Sequence, residues 1–279
     1  MATTSMQPAV RGTEAAALPA AARRAGFTGT LRSEFTKIRS VRSTYWTLLA
    51  LVVVTAGIGA LASWGVANHG GGGPDFDATR QSLAGLLLGQ LIIAVLGALT
   101  VTSEYSTGMA RTSLTAMPRR GVVFAAKAVA FAMVALVTGL VTCFGSFFLG
   151  QALMSSHHIS TTLGQPHVLR AVIGGALFLT VCGLLAFGLG MILRHTAGAI
   201  SAAVVLLFVA TVMVNFLPQS WQNDVDKWMP MNAGSAIWRA GAAQPAEHMF
   251  APWTGFAVFC GYAAIAIIAG AILFRRRDA

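Results

Sequence analysis

Six apolar runs dominate this sequence, each near or beyond the ~20 residues needed to cross the hydrocarbon core of a bilayer. They lie at about Tyr45–Ala67, Leu83–Ser103, Val122–Gly150, Val168–Leu193, Thr196–Leu217 and Trp253–Phe274. A chain in lipid must satisfy its backbone hydrogen bonds internally, so runs of this length read as helices. The predicted fold class is therefore an all-α polytopic membrane protein with six transmembrane helices. The third run is long enough to tilt or to continue past the membrane. Only Arg194-His195 separates the fourth from the fifth, which calls for a tight turn. Composition agrees: 56% of the 279 residues are hydrophobic and 10% charged, and mean hydropathy is +0.69. A soluble domain carries about 25% charged residues. The length suits one membrane domain with short loops.

The net charge of +10 is explained by where the cations fall, and does not point to nucleic acid. Fifteen Lys and Arg residues lie on the face that holds the N-terminus, among them Arg32, Lys37, Arg39, Arg119, Lys127, Arg194 and Arg275. Four lie on the other, namely Arg80, Arg170, Lys227 and Arg239. The positive-inside rule then puts both termini in the cytoplasm. The expected location is the plasma membrane.

Residues 1–28 are rich in Ala, Thr and Pro and read as a disordered cytoplasmic tail. Pro19 breaks the Ala15–Ala22 run, so no cleaved signal peptide is expected there. Residues 29–44 read as an amphipathic helix in the headgroup layer. Leu31, Phe35 and Ile38 share its apolar stripe, with Arg32 and Arg39 on one flank and Lys37 on the other. A simple juxtamembrane stop signal is the alternative.

Between the second and third runs lies a polar, basic segment, residues 104–121. On a helix, Glu104, Gly108, Arg111 and Thr115 fall on one stripe, flat at Gly108. Pro118 closes the segment before Arg119 and Arg120. Such a face suits docking of a soluble partner, while a solvated loop whose arginines only set topology accounts for the same residues.

The pattern Glu104-Tyr105, Gly108, Arg111, Leu114, Pro118 and Arg120, followed by Lys127 opening the next span, resembles the ABC-2 type transporter permeases. The family usually has Gly-Thr-Ile/Leu-Arg, whereas Met109-Ala110 stands before Arg111 here. The resemblance implies a type V exporter-like architecture, in which this segment is the coupling helix received by the ATPase subunit. It also implies an elbow helix at the start of the domain, commonly carrying Glu, Lys and Arg as Glu34, Lys37 and Arg39 do. The expected partners are an ABC ATPase subunit, a second permease copy or paralogue, and membrane lipids, with no nucleic acid.

The outer connections hold fewer signals. Gly70-Gly71-Gly72-Gly73-Pro74 reads as a flexible connector. His157, His158 and His167 lack a ligand spacing and read as polar loop residues. Residues 218–252 carry Trp221, Trp228 and Trp238 and are expected to form short amphipathic helices anchored by aromatics. Cys143, Cys182 and Cys260 sit inside apolar runs as small packing residues.

No catalytic constellation is present. The chain lacks GxxxxGK[ST], so it is read as a non-enzyme that binds no cofactor or metal, with ATP and Mg on the partner ATPase. Glu247-His248 is not HExxH, and Gly145-Ser146 has no evident His partner. The spans contain almost no ionisable groups within their interiors, unlike ion-coupled carriers. Gly85-Leu-Leu-Leu-Gly89 permits close helix approach. The expectation is the permease subunit of an ATP-driven exporter of an amphiphile: a drug, peptide antibiotic or lipid. The alternatives are a non-transporting membrane scaffold that recruits a soluble partner, and an ion-coupled secondary carrier.

Overall fold

A computed structural model of the chain describes residues 26–70, 73, 76–106, 120–240 and 249–276. The expected tail, the central part of the 104–121 segment and part of the 218–252 connection lie outside these. Every element among the described residues is helical.

Helix α1, Phe27–Ser40, ends where Val41 turns to an extended conformation, and α2, Arg42–Asn68, begins at once. Helix α1 therefore stops four residues before the end expected at residue 44. A short α3, Ala78–Ser82, is capped by Asp77, whose carboxylate accepts from the Arg80 backbone N–H at 2.9 Å. Then come α4, Leu86–Ser106, α5, Arg120–Ser155, and α6, Val168–Leu193. Helix α7, Thr196–Val214, contains one π-helical turn at Val205–Val209. Two short helices follow, α8 at Gln219–Asp226 and α9 at Pro230–Ser235, before α10, Pro252–Arg276.

Six of these helices, α2, α4, α5, α6, α7 and α10, are long and apolar enough to cross a membrane. Helix α5, at 36 residues, exceeds the ~30 Å span of a hydrocarbon core by about four-fifths if straight, at roughly 1.5 Å per residue. Large apolar side chains such as Trp46, Leu61, Val137, Phe216 and Ile265 are exposed on the outside of the bundle. A face this apolar suits contact with lipid chains better than with water.

Helix α6 is the axis of the bundle. Its most apolar stretch is 72% buried, against 22% for α2, α7 and α10, and α4, α5 and α10 pack around it. Small residues let these helices approach closely, as van der Waals packing in lipid requires. A Cβ on Gly97 of α4 would run into the Gly183 carbonyl oxygen of α6, and one on Gly188 would meet the Ala266 backbone of α10. Gly85 and Gly89 face Thr55 of α2, so the GxxxG spacing serves an internal contact. Aromatic rings fill the remaining space: Phe131 stacks on Phe187 at 6.1 Å and Phe178 lies 5.5 Å from Phe259.

One end of the bundle is tied together by hydrogen bonds among loops and short helices. Arg170 donates to the Arg239 carbonyl at 2.8 Å, and the Ala240 N–H donates to Asp77 at 2.9 Å. Trp238 is buried against Phe178 rather than exposed with Trp221 and Trp228. Ser146 donates to the Ser82 carbonyl at 2.6 Å, and so holds α5 to α3. All three cysteines are free, with Cys143 and Cys182 fully buried. At the other end, Arg194 takes a left-handed conformation (φ 53°) and closes α6, and His195 caps α7 by accepting from the Gly198 N–H.

Candidate functional site

The end of the bundle that holds α1 carries a buried charged cluster in an otherwise apolar surround. Four charged side chains from three elements meet there: Glu34 and Lys37 of α1, Glu104 of α4 and Lys127 of α5. Lys127 Nζ donates to Glu34 Oε2 at 2.7 Å and to Glu104 Oε1 at 2.6 Å. Lys37 Nζ donates to Glu34 Oε1 at 2.8 Å and lies 3.3 Å from Glu104 Oε1. Two carboxylates and two ammonium groups make the cluster neutral.

The side chains of Lys127 and Glu34 are almost fully buried, Glu104 is mostly covered, and Lys37 reaches solvent. Burial pushes the Glu34 carboxyl up, but Lys127 and then Lys37 outweigh it and hold it below the ordinary carboxylate value. Burial likewise disfavours the charged Lys37, yet Glu34 and Glu104 together hold its ammonium above its usual value. Removing one member of a buried ion pair strands the other, so the buried Lys127 is the member whose loss leaves most charge unpaired.

Local sequence explains how each residue arrives. Glu34 and Lys37 are three apart on α1 and share a face with Thr30, which is also buried. That polar face packs on α5, while Leu31, Phe35 and Ile38 are half-buried beside it. Glu104 lies in the last turn of α4 and Lys127 in the third turn of α5, so they flank residues 107–119 on either side. Next to Glu104, Tyr105 lies beneath the Arg194 guanidinium, 5.0 Å from its ring centroid. Thr196, opening α7, donates to Thr102 of α4 at 2.9 Å. A cavity of about 240 Å³ adjoins the cluster between α1, α2 and α4, with Thr44, Thr47 and Thr100 in its lining.

Of the residues singled out in the sequence, Glu34, Lys37 and Glu104 meet in the cluster, and Tyr105 stands beside it. Arg39 is exposed on α1. Gly108, Arg111, Leu114, Pro118 and the Arg120 side chain lie outside the described residues. Lys127 proves to be the hub, bridging both glutamates. Its opposite charge to Glu104 at the facing ends of consecutive spans was the available signal. Glu104 directs its carboxylate to two lysines of its own chain. Among the described residues, no three His, Cys, Asp or Glu side chains come together as metal ligands.

The family described as "Protein of unknown function (DUF2705)" matches residues 67–279. No curated protein matches the chain.

Proposed function

The chain belongs to the DUF2705 family, and we propose that it is the six-span permease subunit of an ATP-driven exporter of the ABC-2 type. A separate ATPase would bind ATP and Mg, and a second permease copy or paralogue would complete the translocation path. Both termini and residues 104–121 would face the cytoplasm, and the protein would sit in the plasma membrane.

The observation that carries this reading is the cluster of Glu34, Lys37, Glu104 and Lys127. A partner pressing on residues 107–119 would move the ends of α4 and α5 together, because Lys127 bridges them through Glu104. The same lysine holds the elbow through Glu34, so α1 would follow. A neutral, buried cluster resists separation, since each released charge would be left unpaired in low dielectric. The push would thus reach three helices as one body rather than bending a loop. That is what a coupling joint between an ATPase and a transmembrane path requires. The resemblance of Glu104–Arg120 to a coupling segment supports the direction of the push, and the exposed apolar faces support a lipid surround and a second copy.

Glu104 would thus act as part of the joint, leaving Gly108 and Arg111 to meet the ATPase. To test the reading, the chain is purified alone and with the Walker-type ATPase encoded nearest to it, and ATP turnover and cargo efflux from vesicles are measured. The chain alone should hydrolyse no ATP, while the complex should hydrolyse ATP and drive efflux of amphiphilic dyes. ATP turnover by the highly purified chain alone, or a complex in which flux is independent of ATP, overturns it.

A further inference from the structure

A groove of about 640 Å³ opens where α1 and α2 meet. Its walls are Phe35 and Ile38 of α1 and Tyr45 and Leu48 of α2, with Val134 of α5 in the lining. Arg32 and Arg39 line the same groove, two turns apart on α1. Both arginines are exposed, and among the described residues neither has an ion-pair partner. Their charge is uncompensated for a specific reason. The nearest carboxylates of the elbow end, Glu34 and Glu104, are each neutralised by Lys127 and Lys37. The neutral cluster therefore leaves the arginines as a local excess of positive charge above an apolar slot.

We propose that this groove is a binding site for a single anionic phospholipid of the surrounding bilayer. Arg32 and Arg39 hold its phosphate, and one acyl chain lies along Leu48 and Val134. The size fits: ligand sites run to roughly 300–1,000 Å³, apolar with a few convergent polar groups. Charge complementarity selects the occupant, because a guanidinium pairs with phosphate through a fork of donors. The apolar walls exclude a free phosphate as the preferred ligand, and the cationic rim disfavours a zwitterionic lipid. A lipid so held would wedge the α1–α2 bend and fix the angle of the elbow. This inference rests on residues of α1, α2 and α5 alone and is independent of any ATPase.

The test uses the full chain in detergent, titrated with dioctanoyl phosphatidylglycerol, dioctanoyl phosphatidylcholine and inorganic phosphate, with bound lipid counted by native mass spectrometry. The expected result is one phosphatidylglycerol retained, with a Kd at least about tenfold below that for phosphatidylcholine, each Arg near an anionic head being worth roughly fivefold. Inorganic phosphate should not compete at equal concentration. The doubly exposed variant R32Q/R39Q should lose the preference while melting like the wild type. Val134→Trp, which fills the slot without touching charge, should weaken phosphatidylglycerol binding by a similar factor. Equal affinity for the two lipids overturns the proposal. So does a Val134→Trp protein that melts normally and binds like the wild type, because the arginines would then act as a diffuse surface charge only.

Discussion

Lys127 Nζ lies 2.6 Å from Glu104 Oε1 and 2.7 Å from Glu34 Oε2, so one ammonium group joins α1 to both helices that border residues 107–119. Lys127→Met should leave two carboxylates facing Lys37 alone. Breaking a buried pair by removing one partner costs about 3–5 kcal/mol, so the melting temperature in detergent should fall by several degrees. Adding Glu34→Gln restores neutrality, with Lys37 and Glu104 still paired, and should recover most of the loss. Lys37→Met should cost less, because that ammonium reaches solvent and its pairs are screened. Thermal unfolding of the three variants checks the order.

The same cluster gives a pH dependence. Glu34 is held below the ordinary carboxylate value of 4.5, so its contribution is fully present above that value and is lost as pH falls through it. Lys37 is held above 10.5, so its contribution is fully present below that value and is lost as pH rises past it. Stability should be flat between, with an acid limb that Glu34→Gln makes shallower. Melting curves from pH 3 to 8 for wild type and variant measure this.

Much of the fold was legible and most of the site was not, for one physical reason. Hydropathy records how long a run stays apolar, so the six long helices follow from it. It does not record which face of an interfacial helix meets protein. On α1 the apolar stripe of Leu31, Phe35 and Ile38 is only half-buried, while Thr30 and Glu34 are buried. The face of α1 that meets α5 is thus chosen by the partners of Glu34, not by the apolar stripe. Lys127 and Glu34 are 93 residues apart, beyond any local pattern. Trp238 misled similarly: an indole beside other tryptophans reads as an interface anchor, yet it packs on Phe178.

The close contact of α4 with α6 makes a sharper prediction than any apolar residue in the core. Gly97→Leu should force the helices apart at Gly183, at about 1–3 kcal/mol or more, and broaden the unfolding transition. Gly57→Ala, where a Cβ meets nothing within 4 Å, should change the melting temperature little. A stable Gly97→Leu protein would mean that α4 and α6 do not meet there.

Topology is testable with impermeant thiol reagents on a chain whose own cysteines are replaced. A cysteine at Gly73 should label in intact cells, and one at Ser113 only after lysis. The reverse pattern would place the ion cluster on the outer face and remove its proposed role.

The central claim is that the cluster transmits motion as well as holding the fold together. ATP-driven efflux by the Glu34→Gln, Lys127→Met double variant separates the two roles. This variant is neutral, keeps the Lys37–Glu104 pair, and should fold and bind the ATPase. Without the Lys127 bridge, α5 should no longer follow α1 and α4, which the Lys37–Glu104 pair still joins. The account predicts that complex assembly and basal ATP turnover persist while efflux in reconstituted vesicles falls at least about tenfold, equivalent to about 1.4 kcal/mol of lost coupling. Efflux at the wild-type rate from an assembled double variant would contradict it.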